Sequence, residues 1–187
     1  MSSPSQMQQI ADDVLVRRLQ LGEPSAGDEL VQRYAKPLLA YLHRLTGNPV
    51  TAEELHQATW LSVLQHVERF ESKALSGGFK SWLFRIATNK VNDHWRSRGR
   101  QRKAENGLRL VADEVSPDAS ARMASRENDL KVRNAIAALP EPQRQVVCMR
   151  YYSNMKFVEI AEALGCPLNT ALGRMHKALL KLKEQLG

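Results

Sequence analysis

Cysteine is scarce in this sequence: Cys148 and Cys166 are the only two, and no CxxC spacing occurs. That excludes a disulfide framework and a cysteine-built zinc module, and leaves both residues as small apolar side chains. Long apolar runs are missing too. No stretch of about 18 apolar residues appears, and the opening MSSPSQMQQIADD has neither the basic start nor the apolar segment of an export signal. A soluble, reducing, cytoplasmic setting without membrane insertion is therefore expected. The sequence carries no GxxxxGK, no HExxH and no Ser/His/Asp arrangement that can be placed, and its five histidines, His43, His56, His66, His94 and His176, lack metal-ligand spacing. Catalytic residues, cofactor and metal are accordingly all expected to be absent, and the protein is not expected to be an enzyme.

What remains is a basic chain with helical periodicity and no strand pattern. At 187 residues, 43% of them hydrophobic, it has material for one domain or two small ones. A net charge of +7 and a pI near 9.6 favour a polyanionic partner, nucleic acid or an acidic membrane surface. Residues 1–9 are rich in Ser and Gln and read as a flexible N-terminus. Ile10 to Leu21 has helical spacing, GEPSAG interrupts, and Glu29 to Leu45 repeats leucines and a tyrosine at steps of three and four. The Thr46-Gly47-Asn48-Pro49 breaker precedes a third helix from about Thr51 to Phe70, and Glu71 to Gly78 reads as a polar loop.

A fourth helix starts near Phe79. Its apolar positions, Phe79, Trp82, Leu83, Ile86, Ala87, Val91 and Trp95, fall on one side, and Arg85, Asn89, Asn92 and Arg96 form a stripe on the other. From Lys80 to Lys103 the only acid is Asp93, whereas Arg96, Arg98, Arg100, Arg102 and Lys103 crowd the end. A charge density of this kind requires an anion or open solvent. Proteins that hold a separated strand join such a basic track to aromatic surfaces on which bases stack. Trp82 sits mid-face and reads as core; Trp95, beside the basic run, suits either role. Asn89 and Asp93, one turn apart, have groups able to read base edges.

Residues 104–125 change charge sign, with Asp113, Glu114 and Asp118 and no sustained periodicity, and read as a flexible acidic linker. A second helical unit follows from 126, with Leu130, Ile136 and Leu139 along one side and a further helix opened by Pro140. Val158 to Leu164, the turn at Gly165 and a second helix with Pro167 in its first turn have the layout of a helix-turn-helix. Ala161 permits close approach, and Ala171 and Met175 face the core. The second helix would lie in the major groove and offer Asn169, Thr170, Arg174 and Lys177 to bases and phosphates. His176, Lys177, Lys181 and Lys183 add the positive charge that phosphates attract. The fold class expected is all-α: two small helical domains on a flexible linker, the C-terminal one with the helix-turn-helix.

Three blocks in this order resemble the extracytoplasmic-function (ECF, group IV) sigma factors of bacterial RNA polymerase over nearly all of residues 11–187. TAEELHQATWLSVLQ is similar to that family's polymerase-binding helix, and FKSWLFRIATNKVNDHWR to its minus-ten reading helix. ALPEPQRQVVCMRYYSNMKFVEIAEALGCPLNTALGRMHKAL is similar to its minus-thirty-five reading domain. The resemblance implies that residues 10–103 form the region that binds polymerase and melts the minus-ten element, and residues 126–187 the region that reads the minus-thirty-five duplex. It implies core RNA polymerase and promoter DNA, duplex and melted strand, as partners, and admits an anti-sigma factor. Glu53, Glu54, Gln57 and Trp60 would meet the polymerase's coiled-coil clamp, and the loop from Glu71 to Gly78 would hold a flipped base. Lys80, Arg85, Asn89 and Arg96 would lie around the separated strand, and Thr170, Arg174 and Lys177 on the upstream duplex; Asp93, Arg98 and Asn169 join them as DNA-binding candidates on the residue chemistry alone. Ala58, Thr51, Leu172 and Gly173 depart from the usual pattern, the last two leaving fewer polar groups for the groove. The rival reading is a two-domain helix-turn-helix regulator that binds duplex without being a polymerase subunit; a helical adaptor that binds only protein would leave the arginine-rich segment unexplained.

Overall fold

A computed structural model describes residues 10–71, 77–105 and 123–187, with side chains for 10–71, 77–100 and 130–187. The expected flexible start, most of the expected base-holding loop and the acidic linker with Asp113, Glu114 and Asp118 lie outside the described residues. Every regular element described is helical: α1 (Asp12–Gln20), α2 (Pro24–Thr46), α3 (Pro49–His66), a 3-10 turn (Val67–Arg69), α4 (Gly78–Glu105), α5 (Met123–Ala137), α6 (Glu141–Tyr152), α7 (Phe157–Ala163) and α8 (Leu168–Leu186). None of them is long and apolar enough to cross a membrane.

Two starts fall earlier than the periodicity predicts, for the same reason. Pro24 and Pro49 each occupy the opening turn of a helix, where the missing N–H costs nothing and the fixed φ is already helical. At α3 the Asn48 side chain also accepts from the Thr51 N–H at 3.0 Å, so the apparent breaker is a cap. The GEPSAG stretch likewise belongs mostly to α2. Gly27 there brings α1 close, since a Cβ would sit 3.2 Å from Leu19 Cδ1. In the C-terminal half the shift is smaller: Pro167 is the N-cap of α8 rather than part of its first turn.

Leu15, Leu30, Leu38, Leu42, Val63, Phe79, Leu83 and Val91 bury the facing sides of α1 to α4. Phe84, left off the apolar face by its spacing, is fully buried as well, because α2 closes over that side of α4. Its ring meets Tyr41 edge-on at 5.3 Å, and the Tyr41 hydroxyl is 2.7 Å from Thr88 Oγ1, which donates to the Phe84 carbonyl. Trp82 is half-buried against Phe70 and Phe79. Leu130, expected to face inward, is exposed, whereas Ile136 and Leu139 are buried.

The larger difference concerns the two units. Gln145, Val146, Val147, Cys148 and Met149 are buried in succession along α6, as happens when a helix is covered all round. α8 packs on one side of it and α2 on another, and one continuous apolar cluster runs through both halves of the chain. Burial pushes the Cys148 thiol up to about 12.

Two glycines in the C-terminal half invite opposite substitutions. Gly165 has φ +60°, a left-handed conformation that costs a side-chain-bearing residue about 1 kcal/mol or more. Gly173 lies inside α8 with nothing near a would-be Cβ, so alanine there should add up to about 1 kcal/mol of helix stability. Gly165→Ala should therefore lower the thermal midpoint and Gly173→Ala raise it, as calorimetry on the full chain would register.

Candidate nucleic-acid and polymerase interface

The expected binding residues fall on three helices. On α3, Glu53, Glu54 and Gln57 are exposed within one turn. Trp60, a further turn along, is half-buried, and its indole N–H donates to His56 Nε2 at 3.1 Å. Burial holds the His56 pKa below its ordinary value against an opposing backbone hydrogen bond at Ala35, so the neutral ring is available as an acceptor. Beside Trp60 lies an apolar groove of about 370 Å³ lined by Leu19, Pro24, Leu30, Val31, Val63 and Leu64. Leu61 and Leu64 are 57% and 61% exposed, so α3 combines a polar turn with uncovered apolar surface.

The residues of α4 divide between two environments. Asn89, Asp93 and Arg96 are exposed. Arg96 Nη1 lies 3.2 Å from Asp93 Oδ1 with both side chains about 70% solvated, a pair that water screens and a phosphate can displace. Arg98 is half-buried and helps hold the His94 pKa down, after burial and against an opposing pull from Glu54 of α3. Lys80 and Arg85 sit near the start of α4 and are engaged: Lys80 Nζ donates to the Asn154 carbonyl at 3.1 Å, and Arg85 Nε to the Glu162 carbonyl at 3.0 Å. Asn92 accepts from Gln145 Nε2 at 2.8 Å. The polar stripe of α4 is thus partly an internal surface.

The helix-turn-helix is built by α7 and α8. The Cys166 N–H bonds the Ala161 carbonyl at 2.9 Å across the Gly165 turn, and Ala171, Met175 and Ala178 anchor α8 on the core. Asn169, Gly173 and Lys177, spaced by four, form an exposed line. Thr170 and Arg174 flank that line half-buried, with Arg174 Nη1 3.8 Å from Cys166 Sγ. Leu172 is 41% exposed, so an aliphatic side chain stands on the outer side of the recognition helix. Among the described residues no three His, Cys, Asp or Glu side chains gather as a metal ion would require.

Sequence comparison matches residues 30–101 to sigma-70 region 2 and residues 129–182 to sigma-70 region 4. Curated relatives include the ECF RNA polymerase sigma factor SigW of Bacillus subtilis, 26% identical over 91% of this chain and 94% of that one. SigE of Mycolicibacterium smegmatis, also an ECF RNA polymerase sigma factor, is 32% identical over 85% of this chain and 61% of that one. Two solved structures share the fold. CnrH, in complex with the cytosolic domain of CnrY, superposes with a TM-score of 0.72 at 22% identity, covering 95% of this chain and 97% of that one. The sigma factor RpoE of Bartonella quintana, in complex with the anti-sigma factor NepR, has a TM-score of 0.71 at 23% identity, covering 88% of this chain and 98% of that one. Two sigma-70 regions in the family's order, and relatives of one kind along nearly the whole length, place this chain among the ECF sigma factors.

Proposed function

We propose that residues 10–103 dock on core RNA polymerase and hold the melted minus-ten strand, that residues 126–187 read the minus-thirty-five duplex, and that residues 104–125 tether the two. As an ECF sigma factor the chain is a non-enzymatic initiation subunit that directs RNA polymerase to promoters; the finer assignments are inferred from where side chains lie. The carrying observation is that α3, α4 and α8 each turn a distinct polar set outward. Glu53, Glu54 and Gln57, with Trp60 and the neighbouring groove, suit a protein partner, because uncovered apolar surface rimmed by polar groups marks such contacts. Asn89, Asp93, Arg96 and Arg98, with Lys80 and Arg85 upstream, suit a strand whose phosphates meet cations and whose bases stack on Trp95. Asn169, Thr170, Arg174 and Lys177 suit duplex DNA, and with Leu172 and Gly173 between them the readout leans on phosphates and DNA shape.

Melting in this scheme is driven by binding energy, and the setting is the cytoplasm, where the polymerase works. The anti-sigma complex formed by RpoE suggests that an anti-sigma protein also acts on this chain. A regulator that binds duplex alone is not favoured, since it has no use for the α3 surface or for a strand-binding α4. The decisive experiment mixes the purified protein with core polymerase and a library of promoter fragments. Promoter-specific transcripts are expected; duplex binding without any polymerase-dependent transcript would overturn the reading.

A further inference from the structure

We propose that the cleft between α2, the start of α3 and the end of α6 is a small-ligand site that takes a nucleoside diphosphate, with its phosphates on Lys36, His43 and Arg44 and its base and sugar on the apolar floor. The inference stands apart from the polymerase and promoter assignments above. The cleft has a volume of about 370 Å³, and Leu39, Ala40, Pro49 and Tyr152 supply its apolar surface. Small-ligand pockets of about 300–1,000 Å³ combine such a floor with a few polar groups that fix orientation. Here those groups are Lys36, His43, Arg44 and Glu53.

Helical phase gathers the cations. Lys36, Ala40, His43 and Arg44 fall at i, i+4, i+7 and i+8 of α2, so they share one face over about 12 Å at about 1.5 Å per residue. Leu38, Tyr41, Leu42 and Leu45 take the core-facing positions and are buried, which leaves the cationic face to the cleft. No ion pair among the described residues neutralises Lys36, His43 or Arg44, whereas Arg33, one turn earlier on the same helix, holds both Asp12 and Glu29. Like charges left together on a half-covered surface favour an anion that can meet several of them at once.

Arg44 is already positioned for that task. Its guanidinium carbon lies 4.6 Å from the centre of the Tyr152 ring, and stacking on a ring face leaves the in-plane N–H edge to bind phosphate oxygens two at a time. A second helix adds positive potential: after burial, Arg44 and then Arg133 of α5 hold the His43 pKa below its ordinary value. An anion placed beside His43 relieves that repulsion. Inorganic phosphate would meet the cations but leave Leu39, Pro49 and Tyr152 uncovered. A nucleoside brings a flat, largely apolar body to that floor, and Glu53, the one acid in the lining, is an acceptor for an amino group of its base.

Titration calorimetry of the full chain with adenosine diphosphate and guanosine diphosphate in turn, at about 0.15 M salt where exposed charges are screened, tests the site. At least one of the two should bind saturably, and at about 100 times its Kd should raise the thermal midpoint by about 5 °C or more. The matching nucleoside should not bind, and inorganic phosphate should bind about tenfold or more weakly. An 8-azido form of the diphosphate that binds, photolysed on the chain, should label the peptides that carry Leu39 to Arg44 or Tyr152. Lys36→Gln and Arg44→Gln should each lower affinity by about tenfold or more, the usual cost of one charged hydrogen bond. Lys36 is exposed, so its variant keeps the fold, and Lys181→Gln, an equal loss of charge on α8, should leave affinity unchanged. Saturable binding of neither diphosphate, equal binding of the bare nucleoside or of phosphate alone, label confined to α4 or α8, or unchanged affinity in folded Lys36→Gln and Arg44→Gln proteins would each overturn the proposal.

Discussion

Phe84→Ala is expected to cost about 3–5 kcal/mol, the range for truncating a fully buried aromatic side chain. Phe84 is 0% exposed, and its ring packs edge-on against Tyr41, which bonds Thr88 one turn further along α4. Truncation leaves a cavity between α2 and α4 at the point where Tyr41 also approaches α6, and Tyr41 is too constrained by its buried hydroxyl contact to collapse into it. Urea denaturation of the full chain followed by circular dichroism measures the loss as a lower midpoint. Since one apolar cluster runs through both halves, the wild-type chain should unfold in a single transition. Against the 5–15 kcal/mol typical of a folded domain, the variant should be visibly unfolded at modest denaturant. A change below about 1 kcal/mol would mean that α2 and α4 are not packed as described.

The second large effect concerns docking. Glu54→Ala combined with Gln57→Ala should weaken binding to core polymerase by about 2 kcal/mol, about thirtyfold, if these side chains form the centre of the contact. Both are exposed and neither takes part in the core, so the folded chain should keep its thermal midpoint within about 0.5 kcal/mol of stability. Competition for core polymerase against the wild-type chain measures the first quantity and calorimetry the second. Unchanged competition would remove α3 from the interface; a lowered midpoint would instead give these residues a structural role.

The helices were legible because each is coded locally. Leu38, Leu42 and Leu45 recur at helical spacing and are buried, as are Ala171 and Met175 behind the Gly165 turn. The two proline-led starts were misplaced because a proline after a short polar stretch opens a helix as readily as it ends one; the Asn48 cap marks the start at Pro49, whereas Glu23 before Pro24 makes no side-chain cap. Phe84 was missed for a different reason: a single apolar stripe describes a helix with one covered side, and α4 is covered on two. The candidate site divides the same way. Exposure of Glu53, Glu54, Gln57, Asn89, Asp93 and Arg96 follows from their helical phase, whereas the engagement of Lys80, Arg85 and Asn92 does not.

By itself the sequence determined helix content, the order of the two regions and the helix-turn-helix, because these depend on spacing within about twenty residues and on local capping chemistry. Only the tertiary structure decided that α6 is enclosed between α2 and α8 and that α7 lies on α4. Contacts such as Gly77 to Glu162 and Asn92 to Gln145 join surfaces 85 and 53 residues apart. Whether two such surfaces meet is set by the shape and charge of whole helix faces once folded, and no periodicity within either face carries that information.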